Sequence, residues 1–237
     1  MKKYDAVLFD LDGTLLPLDQ DFFIKQYFKA LCKSLAPHGY QPDELIAGVW
    51  AGTNAMIGND GARTNKEAFR SGFSEACGRR VLDDERYFDE FYDDGFLTLR
   101  RFTSPSDKPA GLINELVRRG VPAVIASQPI FPMTAQLRRM EWAGLSPDGF
   151  ALITAYENSR FCKPDPGYYK DIAKQIGADP SRCLMVGNDT GDDGPATRAG
   201  MDVFILTDCL INRKNEDLSV YPHGPMDRMI EYVLENT

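Results

Sequence analysis

Two aspartates separated by one leucine follow a short apolar run near the start of the chain. The run, Ala6 to Phe9, is typical of a fully buried strand. Because side chains two apart on an extended chain point the same way, Asp10 and Asp12 are expected to project together. At about 4 Å and an effective dielectric of about 20, their repulsion is on the order of 4 kcal/mol. A cation, a shared proton or solvent must offset it. The simpler alternative is an acidic turn.

A hydroxyl and an ammonium group stand at two later positions that could bind a phosphate. Ser127 directly follows another apolar run, so it shares a sheet edge with Asp10 if the two strands are parallel neighbours. Lys163 precedes Pro164, which favours an extended residue before it, and Pro166 can begin the next helix. The lysine is therefore expected at a fixed loop–helix junction, where its ammonium can screen carboxylates and bind phosphate. The simpler alternatives are an ordinary loop serine and a solvated lysine.

A second acidic cluster follows a third buried run. Asp189, Asp192 and Asp193 fall within a span of five positions that begins shortly after Val186, a pattern that suits a bound cation. Four-residue spacing allows Asp189 and Asp193 to face one site across a turn. We predict Asp189 as a direct metal ligand and Asp193 as the second acid, with Asp192 as the alternative. The spacing does not match a twelve-residue calcium loop ending in Glu.

Taken together, these segments resemble the four signatures of the haloacid dehalogenase superfamily of phosphohydrolases, in the right order. The matching segments are Asp10-Leu11-Asp12-Gly13-Thr14, the strand ending in Ser127, Lys163-Pro164, and Asn188-Asp189 with Asp193. Two positions depart from the usual pattern: Gln128 replaces an Asn, and Asn188 stands where many members have an Asp. The region between the first two signatures resembles the family's helical cap by position and length only.

The resemblance implies a mechanism and a cofactor. Asp10 would be the nucleophile that forms an aspartyl-phosphate, and Asp12 would be the general acid and base. Ser127 and Lys163 would bind the substrate phosphate. One Mg²⁺ would be held by the carboxylates and by a backbone carbonyl near Asp12. The expected metal-site residues are Asp10, Asp12, Asp189 and Asp193.

Asp12 also bears on the type of reaction. Dehalogenases of the family lack this acid, since no leaving alkoxide needs a proton, so its presence favours phosphoryl transfer. The predicted function is Mg²⁺-dependent hydrolysis of a small phosphate monoester. A phosphomutase of the same superfamily and a non-catalytic phosphate-binding module stay open as alternatives. A nucleotide-binding domain is disfavoured because neither a Gly-x-Gly-x-x-Gly nor a Walker loop occurs.

The composition of the chain limits the classes of molecule that the protein is expected to bind. The 237-residue chain has a formal net charge of −8, which argues against general binding to nucleic acid or anionic membranes. Its five cysteines are scattered without a Cys-x-x-Cys pair, so reduced thiols are expected. No run approaches the roughly 20 apolar residues of a membrane span. We expect a cytoplasmic protein, monomeric or homodimeric, acting on a small-molecule phosphate ester.

The helices and strands that must position these residues are predicted to alternate after Thr103. Helix and strand patterns follow one another to the end of the chain, which predicts right-handed βαβ units and an α/β fold with a doubly wound parallel, Rossmann-like sheet. Residues 1–16 and 103–237 would form this core. The segment from Asn212 to Gly224 is polar, and Pro225 to Leu234 is expected to form a last helix.

Residues 17–102 show no convincing strand and are predicted to form an all-helical cap. Apolar residues at four-residue spacing indicate a helix from about Phe23 to Leu35, and Pro42 begins a second. A Gly- and Asn-rich loop is expected over Gly52–Gly61. Two more helices are predicted, one around Phe69–Cys77 and one over Asp83–Arg101.

Overall fold

A parallel β-sheet forms the centre of the molecule. The computed structural model describes residues 2–237, and in this range the sheet has six strands. The strands are β1 (Ala6–Phe9), β2 (Ala123–Ile125), β3 (Leu152–Ile153), β4 (Cys183–Gly187), β5 (Asp202–Leu206) and β6 (His223–Gly224). Their spatial order is β3-β2-β1-β4-β5-β6, and every pair is parallel. The predicted α/β fold with a parallel, doubly wound sheet is confirmed.

Helices cover both faces of the sheet and fill a long insertion after β1. They are α1 (Gln20–Leu35), α2 (Pro42–Ile57), α3 (Asn65–Cys77), α4 (Arg80–Asp83), α5 (Glu85–Asp93), α6 (Lys108–Arg119), α7 (Met133–Trp142), α8 (Pro166–Gln175) and α9 (Met226–Asn236). No helix among residues 2–237 combines the length and the apolar character needed to cross a bilayer.

The alternation of side chains along β1 explains why the sheet has two cores. Val7 and Phe9 pack in a cluster with α6, α9 and the inserted helices. Ala6 and Leu8 face the other way, into a cluster that contains residues of α8. All four side chains are buried, so the strand is apolar throughout instead of alternating with polar residues.

The register brings the ends of three strands to one edge. Phe9 pairs with Ile125 of β2 and with Val186 of β4. The residues that follow these strands therefore emerge beside one another. The sheet order also reverses direction at β1, between β2 and β4, which is where ligands bind in open α/β sheets.

The insertion differs from its prediction in two places. The loop predicted over Gly52–Gly61 is wrong in its first part, because α2 continues to Ile57, whereas residues 58–61 are non-helical as predicted. The glycines serve close packing there: a methyl group at Gly52 would lie 2.5 Å from the Phe69 ring of α3. The single helix predicted over Asp83–Arg101 is also wrong. Helical structure is interrupted at Asp84 and at Asp94, which separates α4, α5 and a 3₁₀ helix (Gly95–Phe102).

The two chain segments that connect the insertion to the core lie side by side. Leu18 and Thr103 form an isolated antiparallel bridge, and the Ser104 N–H donates to the Pro17 carbonyl at 2.9 Å. This pairing lies next to the predicted domain boundaries at 16/17 and 102/103, which stay a prediction. The polar segment Asn212–Gly224 contains the two-residue edge strand β6, which pairs with β5 through backbone hydrogen bonds.

Candidate active site

Asp10 lies directly after β1 and faces a pocket at the sheet edge. Its N–H donates to the Val186 carbonyl at 2.8 Å, which continues the ladder between β1 and β4. Its carboxylate accepts from the Lys163 ammonium at 2.8 Å and from the Thr14 hydroxyl at 3.3 Å. Burial raises the pKa of Asp10 to about 7, with Lys163 opposing the shift and the charge of Asp193 adding to it.

Lys163 is a buried cation between two carboxylates. Its Nζ lies 2.8 Å from Asp10 and 2.7 Å from Asp193, and only 2% of its side chain is exposed. Burial disfavours its charge, but the two carboxylates outweigh that effect and hold the pKa of Lys163 well above its usual value. The predicted fixed position of this lysine therefore has a physical basis in two ion pairs.

Gln128 holds the backbone of Lys163 on both sides. Its side-chain oxygen accepts from the Lys163 N–H at 2.9 Å, and its Nε2 donates to the Lys163 carbonyl at 3.0 Å. The Lys163–Pro164 peptide is cis. Sequence reasoning assigned no role to Gln128, which stands where the family usually has Asn. Its contacts show that it positions the lysine loop.

Ser127 lies at the same edge, after β2. Its side chain is 2% exposed and lines the same cavity as Asp10. Its carbonyl accepts hydrogen bonds from the hydroxyls of Thr154, at 3.1 Å, and Tyr168, at 2.7 Å. These contacts fix the serine backbone and leave its hydroxyl facing the cavity.

The acidic turn after β4 is held by its own backbone. Asp189 accepts from the N–H groups of Gly191, at 2.7 Å, and Asp192, at 3.2 Å. Asp193 accepts from Lys163 through one oxygen and from the Asp189 N–H, at 3.0 Å, through the other. Burial raises the pKa of Asp192 to about 6. The turn thus presents Asp189 and Asp192 to the cavity and uses Asp193 to anchor the lysine.

Asn188 joins the two loops that carry the aspartates. It accepts from the Thr14 hydroxyl at 3.1 Å and donates to the Cys209 carbonyl at 2.7 Å. Gly13 has a positive φ of 81°, and a methyl group there would lie 2.4 Å from the Asn188 amide nitrogen. Glycine is therefore required twice at position 13, for its backbone angle and for this close approach.

Asp12 forms a buried ion pair that the sequence did not predict. Arg139 of α7 is fully buried and donates to the Asp12 carboxylate and to the Gln136 side chain. Its Nε donates to the Ala135 carbonyl at 3.3 Å, and its guanidinium lies 4.5 Å from the centre of the Phe131 ring. Among residues 2–237, Asp12 Oδ1 and Gln136 Nε2 are buried without a hydrogen-bond partner.

The sequence carried a weak signal for this pair. Gln136 and Arg139 lie on the same helical face as Ala135 and Met140, which are core positions. A polar pair on an apolar face needs partners inside the protein. Identifying Asp12 as the partner required the fold.

Replacing Arg139 by Met is expected to lower the free energy of unfolding by about 3 kcal/mol, because the change leaves the Asp12 charge without its cation. The matched control is Arg138→Met on the same helix, whose side chain is 37% exposed and contacts Glu141 at 3.5 Å. The control should cost about 0.5 kcal/mol or less. Denaturant unfolding measures both. Equal losses would mean that the buried pair contributes no more than a surface contact.

All the predicted site residues line one cavity of about 30 Å³. They are Asp10, Asp12, Ser127, Lys163, Asp189 and Asp193, joined by Gln20, Gln128, Asn188 and Asp192. The aspartates supply only oxygen donors, the type that Mg²⁺ prefers. Five carboxylates face two cations, Lys163 and Arg139. No group of three or more His, Cys, Asp or Glu side chains in residues 2–237 is spaced to hold a metal. The donor chemistry and the excess negative charge nevertheless fit a divalent cation.

Comparison with known proteins identifies relatives of the whole arrangement. Residues 4–200 match the model of a hydrolase family, haloacid dehalogenase-like hydrolase. The chain is 24% identical over 195 residues to a phosphoglycolate phosphatase of Aquifex aeolicus, covering 82% of this chain and 81% of that one.

Two solved structures share the fold across nearly their full lengths. A predicted phosphoglycolate phosphatase from Haemophilus somnus is 15% identical, with a TM-score of 0.59 and coverage of 98% of this chain and 99% of that one. An L-2-haloacid dehalogenase from Xanthobacter autotrophicus is 17% identical, with a TM-score of 0.57 and coverage of 99% and 100%. Since one is named as a phosphatase and the other as a dehalogenase, the shared fold does not decide the reaction.

Proposed function

Because the chain belongs to the haloacid dehalogenase-like hydrolase family, we propose that it is a Mg²⁺-dependent phosphatase that hydrolyses a small phosphate monoester through an aspartyl-phosphate. The observation that carries this proposal is the buried contact of Asp10 with Lys163, 2.8 Å long, in a cavity that also contains Asp12. It supports a nucleophile beside a phosphate-binding cation. The named activity of the Aquifex aeolicus relative agrees with a phosphate-ester substrate.

In the first step, an oxygen of the Asp10 carboxylate attacks phosphorus and the bond from phosphorus to the ester oxygen breaks. Lys163 and the Ser127 hydroxyl bind the phosphoryl oxygens and offset their charge. The Lys163 ammonium has three donors, so it can keep its ion pair with Asp193 while one donor turns to the phosphate. Asp12, protonated at first, donates its proton to the leaving oxygen, so the products of this step are the alcohol and the phosphorylated aspartate.

In the second step, water attacks the phosphorus of the aspartyl-phosphate and the bond from phosphorus to the Asp10 oxygen breaks. Asp12 accepts a proton from the water, so phosphate is released and the Asp10 carboxylate is restored. Arg139 contacts the Asp12 carboxylate and holds it at the cavity. The proton that Asp12 accepts in this step is available for the leaving oxygen of the next substrate.

The proposed metal ligands are Asp10, Asp189 and the backbone carbonyl of Asp12, with Asp193 or Asp192 as the second acid. A bound Mg²⁺ neutralises charge on the transferring phosphoryl group. Asp193 is already engaged by Lys163 and by the Asp189 N–H, so in this proposal it acts by holding both groups. Asp192 faces the cavity with a raised pKa and is the alternative ligand.

Phosphate release from a panel of small phosphate esters, with Mg²⁺ and with a chelator, tests the function. We expect release with Mg²⁺ and none with the chelator. Release that is unchanged by the chelator would contradict the metal dependence. Absence of release from every ester, with Mg²⁺ binding measured separately, would favour the mutase or the non-catalytic binding module.

Mg²⁺ is expected to bind more weakly at pH 6 than at pH 8. The pKa of Asp10 is raised to about 7 in the protein without metal, so below that pH a cation must displace a proton from it. Calorimetric titration at both pH values, in buffers with different ionisation enthalpies, measures the affinity and the released proton. The variant Asp10→Asn should reduce the proton release. Equal affinities at the two pH values would contradict the role of Asp10 as a ligand.

A further inference from the structure

A second cavity opens from the site towards the inserted helices. It has a volume of about 150 Å³ and shares Asp12, Ser127 and Gln128 with the smaller cavity that contains Asp10. Side chains from α1, α2, α3 and α5 and the residue before α7 form its walls. Those that matter most here are Phe23, Tyr27, Val49, Phe73, Tyr92 and Phe131. Because Asp12 belongs to both cavities, a group leaving phosphorus next to Asp12 would extend into this space.

The walls of the cavity are mostly apolar, and some of their hydroxyls are already paired. The hydroxyls of Tyr27 and Tyr92 bond to each other at 3.0 Å. The hydroxyl of Thr53, the small polar residue of α2 in the wall, donates to the Val49 carbonyl at 2.9 Å. A leaving group rich in hydroxyls would lose its hydrogen bonds to water on entering and would find these three hydroxyls already paired. The uncharged polar side chains that remain for it in the lining include Gln20, Ser127 and Tyr156.

The charges at the cavity also disfavour an anionic leaving group. The charged side chains in its lining are Asp12, Arg70, Glu85, Asp89 and Arg139. The two arginines are both paired, Arg139 with Asp12 and Arg70 with Glu85 at 3.3 Å. A carboxylate on the leaving group would therefore enter a space with more acids than bases and with both arginines already engaged.

The volume limits the size of the occupant. An engineered protein cavity of about 150 Å³ lined by apolar side chains stays dry and binds benzene. The space here is of the same size and is lined largely by rings, which favour edge or offset contacts with another ring. The occupant that fits is one six-membered aromatic ring.

We propose that the substrate is a phosphate monoester of a single-ring phenol, whose ring occupies the cavity between the inserted helices and α7. This inference rests on the proposed phosphatase function. In this proposal the walls of the cavity select the leaving group. The preferred substrate would then differ from the phosphoglycolate named for the Aquifex aeolicus relative.

The test compares four esters on the wild-type protein with Mg²⁺: phenyl phosphate, cyclohexyl phosphate, phosphoglycolate and acetyl phosphate. We expect kcat/KM for phenyl phosphate to exceed that for phosphoglycolate by about a hundredfold, the size of discrimination that an apolar pocket typically achieves. Cyclohexyl phosphate has a similar size but a poorer leaving group, so it should show a similar KM and a lower kcat. Preference for phosphoglycolate would overturn the inference.

Acetyl phosphate separates this inference from the proposed function. It needs no large pocket and has a good leaving group. Hydrolysis of acetyl phosphate without preference for phenyl phosphate would overturn the aromatic assignment and leave the phosphatase function standing. No hydrolysis of any of the four would overturn both.

A cavity-filling variant tests the location of the ring. Val49→Phe adds a ring inside the cavity, whereas the matched control Val117→Phe adds one on α6, where the valine is 55% exposed. Val49→Phe should lower the ratio of kcat/KM for phenyl phosphate to that for acetyl phosphate by about tenfold or more, and the control should leave the ratio unchanged. An unchanged ratio in a folded Val49→Phe protein would overturn the placement.

Product inhibition provides a readout that does not depend on a variant folding. Phenol should inhibit the wild-type protein at lower concentration than glycolate does. Stronger inhibition by glycolate would contradict an apolar leaving-group site.

Discussion

Replacing Asp10 by Asn is expected to lower kcat by a factor on the order of 10⁴ or more, because a carboxamide oxygen cannot form the aspartyl-phosphate. The fold should be retained. Asp10 is buried and its charge is disfavoured there, and Lys163 keeps its pairing with Asp193 in the variant. Thermal unfolding of the metal-free protein should therefore occur at the same or a higher temperature than for the wild type.

The matched control for this variant is Asp12→Asn. Loss of a general acid and base should cost about 10² to 10⁴ in rate, less than loss of the nucleophile. The loss should be smaller for aryl than for alkyl phosphates during formation of the aspartyl-phosphate, since a phenolate needs less protonation. Rapid quenching with labelled substrate would trap the phosphorylated protein in Asp12→Asn and not in Asp10→Asn. Trapping in both variants would place the nucleophile elsewhere.

Replacing Lys163 by Met is expected to affect both stability and activity. Without the ammonium, Asp10 and Asp193 remain as buried carboxylates with their partner removed, which should lower the free energy of unfolding by about 3–5 kcal/mol in the absence of metal. Activity should fall by a factor on the order of 10² to 10³, because the cation also binds the phosphoryl group. Lys170→Met, an exposed position on α8, should change neither property.

A double variant separates the two effects of Lys163. Lys163→Met combined with Asp193→Asn removes one of the two unpaired charges, so it should regain about 1–3 kcal/mol of stability relative to Lys163→Met alone. Its activity should stay low. If the double variant is no more stable than Lys163→Met alone, the ion pair with Asp193 does not account for the position of the lysine.

The candidate site was largely predictable because its residues follow buried strands in sequence. Asp10 follows β1 and Ser127 follows β2, so the two residues lie at the same edge of the sheet when these strands are parallel. The alternation of helix and strand in the sequence predicts that parallel pairing. The same holds for the turn after β4. To predict the contact of Lys163 with Asp10, it was enough to place the lysine at a fixed position near this edge of the sheet.

Arg139 and Gln128 were not predictable in the same way. The role of Gln128 depends on the backbone of a loop 35 residues later in the chain, and the partner of Arg139 lies 127 positions away. Contacts between residues this far apart in the chain produce no periodic or local pattern in the sequence. Within the inserted helices, the glycines that suggested a loop instead allow α2 and α3 to approach closely, and only the packing distinguishes the two uses of glycine.

The central position of β1 has a consequence for synthesis of the chain. Its neighbours in the sheet are β2, which begins at Ala123, and β4, which begins at Cys183. At about 5–20 residues per second on the ribosome, an apolar strand made first waits on the order of 10 s for its first partner. The helices made in between have local contacts and can fold earlier. We expect the nascent chain to depend on chaperones chiefly during this interval, and permutants that begin at β2 to depend on them less.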